Sequence, residues 1–179
     1  MCIRDRTNWS TGTVNSGVLN SGHNDNAPAS SLAANADDTQ SCSGTGQACS
    51  NTVWNSQRRP HTLSNGEVIW DFAGNVWEFT DWQVSQANKA AGSGGTAAYS
   101  EFTTVTATGF MTTATWQATN SALNSTNGLG QYYQGTTDPA AARRGGSWNN
   151  GAEAGVLGLD LSAPPSNSDQ FIGLSLIHI

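Results

Sequence analysis

Asp71-Phe72-Ala73-Gly74-Asn75-Val76-Trp77-Glu78 is the stretch on which the fold turns. Two carboxylates flank a Gly74-Asn75 turn, and the segment runs on into Phe79-Thr80-Asp81-Trp82, which alternates as a strand does. The alternation sets Trp77, Phe79 and Asp81 on one face and Glu78, Thr80 and Trp82 on the other. Just upstream, Asn65-Gly66 is a turn signal leading into a strand over Glu67-Val68-Ile69-Trp70. A second informative stretch lies further on, Arg144-Gly145-Gly146-Ser147-Trp148. It reads as a strand whose glycines allow close backbone approach. Gly155 to Leu161 alternates into another strand, Ala163-Pro164-Pro165-Ser166-Asn167-Ser168 reads as a turn, and Phe171-Ile172-Gly173 begins a last strand.

The two ends read differently. Met1 to Arg6 can be encoded by ATG TGT ATA AGA GAC AG, and the reverse complement reads Leu-Ser-Leu-Ile-His-Ile, the sequence of residues 174–179. Both tracts look like translations of one sequencing adapter and are set aside as scars. The expectation is a single domain over residues 7–173, cut at both ends.

Composition narrows the class. Charged residues make up 11% and hydrophobic residues 36%, with small and hydroxylated residues filling most of the rest. Seven tryptophans argue for a packed core, since disordered chains are poor in aromatics. No long stretch carries a helical apolar period, so helix should be scarce. Residues 7–66 read as loop with short strands, anchored by Trp9 and Trp54. Residues 83–140 read as a long excursion with a flexible tip at Gly92-Ser93-Gly94-Gly95. The net charge is −6 and Lys89 is the only lysine, which leaves no basic stripe for nucleic acid. No apolar run is long enough to span a membrane. Cys42 and Cys49 are read as a local disulfide, which would imply an oxidising compartment, with two free thiols as the alternative. Asn24, Asp25 and Asn26 are oxygen-rich, but such clusters more often make turns than metal sites. Trp70, Trp77 and Trp148 are assigned to the core rather than to a ligand platform.

Taken in order, the two stretches and the Pro-Pro-Ser-Asn and Ile-Gly that follow resemble the formylglycine-generating enzyme, or sulfatase-modifying factor, family. The resemblance implies an α+β, C-type-lectin-like fold, loop-rich, with small antiparallel sheets. It also implies Ca²⁺ held by the side chains of Asp71 and Glu78 and the carbonyls of Gly74 and Val76. Calcium takes about six to eight oxygens of this mixed kind. The alternative is a metal-free turn in which both carboxylates accept backbone N–H groups. The catalytic members bind copper(I) through two cysteines placed shortly after the glycine-glycine-serine. Those positions fall at about Asn150 and Gly155, so no copper is expected and no catalytic residue is assigned. His23 and His61 carry no catalytic or metal-ligand spacing.

The final stretch, Gly-Gly-Ser-Trp-Asn-Asn-Gly followed by Gly-Val-x-x-Leu-x-Leu and Pro-Pro-Ser-Asn-Ser, also resembles the variable proteins of diversity-generating retroelements. These bind diverse ligands on a rigid frame. The frame here would be Gly145, Gly146, Trp148, Val156, Leu159 and Leu161. Ligand-binding positions would be Glu153, Asp160, Ser162, Ala163, Asp169, Gln170 and Phe171; all of these but Ala163 would be exposed and near one another, with the last strand folded back beside Asp160, and a place in the buried core is the alternative for Phe171. Asp160, Ser162, Ala163, Asp169 and Phe171 are reachable from asparagine codons by changing adenines alone; Glu153 and Gln170 are not, and ordinary drift in a surface loop is the alternative. The expectation is a non-catalytic binding domain for a protein or glycan ligand, displayed on a cell or phage surface or outside the cell. A formylglycine-generating-type oxidase and a structural module of a larger surface protein are the alternatives.

Overall fold

The computed structural model describes residues 8–33, 41–50, 52–89, 98–103 and 123–173. The adapter-like ends and the glycine tip at 92–95 lie outside the described residues. Within them the chain is mostly loop and strand. Helix is limited to short 3₁₀ turns, including Gln86–Asn88, Ser125–Asn127 and Gly151–Glu153.

Eight strands follow one another: β1 Pro60–Thr62, β2 Val68–Trp70, β3 Trp77–Val84, β4 Ala98–Ser100, β5 Tyr132–Gln134, β6 Ala140–Gly145, β7 Gly155–Leu161 and β8 Ile172–Gly173. β1 and β2 form an antiparallel pair, and the other six make one sheet in the order β4-β5-β7-β6-β3-β8. The expectation of small antiparallel sheets holds for the first only. In the larger sheet β5 runs parallel to β7 and β8 parallel to β3. Strand alternation reports burial, and it carries no information on pairing direction.

Three readings are corrected. The strand expected over Arg144–Trp148 ends at Gly145, because Gly145 and Gly146 take φ of +89° and +87°, which turns the chain out of the sheet. The excursion over residues 83–140 is not wholly loop, since it supplies β4 and β5. The last strand does not return to β7; it pairs with β3 at the sheet edge.

The apolar residues gather in two clusters. Val84, Phe102, Tyr132, Ala140, Ala142, Leu159 and Leu161 pack on one face, with Trp82 and Leu157 against them. Trp9, Leu19, Ala73, Leu123, Leu129 and Val156 form a second cluster, which Leu157 also touches. All six frame positions are buried.

The two motifs meet backbone to backbone. The Gly74 amide donates to the Gly145 carbonyl (3.0 Å), and the Trp148 amide to the Asn75 carbonyl (3.0 Å). A Cβ at Gly145 would stand 2.9 Å from the Phe72 oxygen, and one at Gly74 2.6 Å from the His23 oxygen. Asn75 joins a third segment. Its amide donates to the His23 carbonyl, and its side chain exchanges hydrogen bonds with the backbone of Leu32.

Candidate functional site

The Asp71 carboxylate does not stand open for a cation. Arg59 donates from Nε to Oδ1 (2.7 Å) and from Nη2 to Oδ2 (2.6 Å), and the Asn75 amide reaches Oδ2 at 3.2 Å. Arg59 also donates to the carbonyls of Ser43 and Ala33, and its guanidinium lies 5.3 Å from the centroid of Trp70. The Gly74 carbonyl accepts the Val76 amide, while Glu78 lies within β3 opposite Arg144. These residues do not fit the expected calcium set: a guanidinium already supplies the positive charge at Asp71, and its fork matches the carboxylate. Among the described residues no three His, Cys, Asp or Glu side chains converge on a point. In the Asn24–Asn26 segment, Asp25 accepts the Ala27 amide in a turn and Asn24 donates to the Gly151 carbonyl.

Cys42 and Cys49 are joined as a disulfide, with Cα atoms 5.5 Å apart. The loop it closes contributes the Ser43 carbonyl to the Arg59 guanidinium, and Ser41, just before the bridge, accepts the Arg59 backbone amide, so the bridge and the Arg59–Asp71 pair form one unit.

The seven expected ligand-binding residues do not share one face. Asp160 is buried in central β7, where its carboxylate pairs with Arg143 and accepts the Ser162 amide (2.7 Å). It was expected to be exposed because alternation points it away from Leu159 and Leu161. It does point away, but the opposite face of this central strand is also covered. Ala163 is buried as well, its carbonyl taking the Ala141 amide. Asp169 and Gln170 are exposed just before β8. Three strand spacings separate β8 from β7, roughly 14 Å, so the two groups are apart. Phe171 is half-buried and lies on the Trp148 indole (centroids 5.0 Å), which makes it a packing residue rather than an exposed anchor.

Glu153, Asp160 and Ser162 do come together, around residues that the sequence did not single out. Register places Phe79 beside Arg143, Arg143 beside Asp160, Asp160 beside Tyr133 and Tyr133 beside Tyr99. These five side chains form a row across β3, β6, β7, β5 and β4, on the face opposite Leu159 and Leu161. Tyr99 and Tyr133 stack at 4.6 Å with a 40° tilt. Arg143 donates to Asp160 and to the Ser162 hydroxyl (3.2 Å), and its guanidinium lies 6.0 Å from the Trp77 ring. Its Nε is buried with no acceptor.

Asn150 fixes the outer end of the row. Its side-chain oxygen accepts the Ser147 amide and hydroxyl, while its amide nitrogen donates to the Tyr99 hydroxyl (3.0 Å) and reaches Glu153 (3.3 Å). Tyr99 and the Glu153 carboxylate thus stand side by side, held by the one amide nitrogen. Burial pushes the Tyr99 phenol well above its ordinary pKa, helped by the negative charges of Glu153 and Asp160. Burial also raises Glu153, against the lowering effect of Asn150 and Tyr99 beside it. Tyr99, Tyr133, Asn150 and Glu153 are all half-buried, so this end of the row reaches the surface.

Gly155, the second position at which the resemblance would place a cysteine, is closed to any side chain. A Cβ there would stand 2.2 Å from the Gly130 nitrogen and 2.5 Å from the Gly128 oxygen. No family model, curated protein or solved structure matches the chain.

Proposed function

We propose that this chain is a non-catalytic ligand-binding domain with a C-type-lectin-like frame, related to the formylglycine-generating enzyme family and to retroelement-diversified variable proteins. The observation that carries the reading is the convergence of Glu153, Asp160 and Ser162 with Tyr99 and Tyr133 on one sheet face. A binding site needs a few fixed polar groups among aromatic or apolar surface. Here Asn150 and Arg143 fix the polar groups, and the stacked tyrosines supply the surface. Asp160 and Arg143 act as support beneath it, and Ala163 belongs to the frame. The backbone contact at Gly155 speaks against copper oxidation, because the paired thiolates of the catalytic relatives have no room there. The disulfide suits display outside the reducing cytosol.

The intact gene tests this reading. A neighbouring reverse transcriptase, with a near-copy of the region encoding residues 144–173, is expected. Among natural copies, substitutions should gather at half-buried Ser162, exposed Asp169 and neighbouring asparagine-derived codons, while Gly145, Gly146, Trp148 and Gly155 stay fixed. Copper-dependent conversion of a cysteine-containing sulfatase peptide by the purified protein would falsify the non-catalytic reading.

A further inference from the structure

Resting on the binding reading above, we propose that the Tyr99–Tyr133 ring pair and the Glu153 carboxylate receive a cationic side chain, ammonium or guanidinium, from a protein or peptide ligand.

The charges around the row point to this class. Asp160 is paired with Arg143. Lys89, the nearby cation on the segment after β3, spends its ammonium on the Gly135 and Thr137 carbonyls (2.8 and 2.7 Å). Glu153 accepts a hydrogen bond from Asn150 and lies beside Tyr99, but it has no basic partner among the described residues. The row therefore ends in an uncompensated carboxylate beside two aromatic rings. A cation is attracted both by a carboxylate and by the face of a phenol ring. A chain of net charge −6 adds a long-range field of the same sign.

The geometry is already set. Asn150 holds the Tyr99 hydroxyl and the Glu153 carboxylate, and Tyr133 stacks on Tyr99 while leaving its hydroxyl out of that network. Little side-chain ordering is then left to binding. A neutral polyol could use the rings and hydroxyls but would leave the buried side of the carboxylate without a counter-charge. A cation relieves that cost.

The groups facing Glu153 are Tyr99 on β4, Asn150 on its own turn and Asp160 on β7, with Arg143 on β6 neutralising Asp160. None of these is a cation free to compensate Glu153. Burial already raises the proton affinity of this carboxylate, so acid should compete with a cationic ligand directly.

The test uses the whole domain and four probes: blocked Ala-Arg-Ala and Ala-Lys-Ala, blocked Ala-Gln-Ala, and maltose, each titrated by NMR. The two basic peptides should bind in the millimolar range, and the glutamine peptide and maltose at least about tenfold more weakly. Glu153→Gln and Tyr133→Ala should each cost about tenfold in affinity for the basic peptides while melting within a few degrees of the parent. Binding should weaken with added salt and as pH falls from 7 toward 4. Equal binding of the arginine and glutamine peptides, preference for maltose, or no peptide binding would overturn the inference. The binding reading has its own arm, an identified protein partner from the gene neighbourhood. If that partner's affinity responds to Tyr133→Ala but not to Glu153→Gln, the cationic inference fails and the binding face stands. If it responds to neither, both fail.

Discussion

Among the described residues two arginine–aspartate pairs are largely buried, and they differ in how completely they are satisfied. Arg59 grips both oxygens of Asp71, reaches two carbonyls besides, and stacks on Trp70. Arg143 makes its contacts with Asp160 and Ser162 through a single nitrogen and leaves Nε without an acceptor. The first pair ties β1, the disulfide loop and the motif turn together. The second lies in an aromatic row that continues to half-open tyrosines. A saturated pair has no valence left for a ligand. An unsaturated one, beside open aromatic surface, is where recognition can be built without dismantling the frame.

The contrast can be broken by mutation. Arg59→Ala should cost the most, about 3–5 kcal/mol in urea unfolding, because it strands a largely buried carboxylate. Acid should strike the same region. His61 on β1 is fully buried, and desolvation lowers its pKa from 6.5 to about 4 despite its hydrogen bond to the Asn20 carbonyl. The folded state thus takes up the proton less readily than the unfolded chain. Stability from the neutral ring is complete above about pH 6.5 and should fall as pH drops toward 4, by about 3 kcal/mol. Unfolding of parent and His61→Gln at pH 7 and pH 4 should show this slope largely lost in the variant.

Opening the disulfide with Cys42→Ser and Cys49→Ser should cost about 2–3 kcal/mol, the loop-entropy value for a closure this short. Since the Ser43 carbonyl in this loop accepts a hydrogen bond from the Arg59 guanidinium, the loss should be less than additive with Arg59→Ala. In the second region Asp160→Asn, which keeps the shape and an acceptor for Arg143, should cost about 1–3 kcal/mol. Glu153→Gln should be the mildest, within about 0.5 kcal/mol of the parent and on the stabilising side at pH 7. The sign follows from burial, which raises the pKa of Glu153 in the fold and so disfavours its charged form there. A large loss at Glu153, or a negligible one at Arg59, would invert the comparison.

What the sequence disclosed was local. The Gly155–Leu161 strand falls at its expected bounds, β2 and β3 lie within two residues of theirs, and the Cys42–Cys49 bridge is present. Each depends on spacing within a few residues. What stayed hidden depends on strand order. Nothing in a period of two says that Tyr99 and Tyr133 stand beside Asp160, since that requires β5 to pair with β7 and β4 with β5. Arg59 carries no local signal either, because its partner Asp71 lies twelve positions on, across a hairpin. Asp160 was misread because alternation separates the faces of a strand without saying whether the second face is covered. Phe171 was misplaced because its neighbour, Trp148, is reached only after β8 has joined β3.

That late joining bears on how the polypeptide is made. β3 pairs with β6 on one side, and on the other Trp77 and Glu78 pair with Ile172 and Gly173, so this part of its outer edge stays bare until those two residues are made. Trp9 and Leu19 wait similarly, because their cluster needs Leu123, Leu129 and Val156. Until those residues emerge, a nascent chain of this kind holds an unpaired strand end, and until Val156 emerges an incompletely buried tryptophan. An exposed strand edge is the feature through which one chain recruits another, so the hazard of aggregation is greater before Ile172 and Gly173 have joined β3 than after.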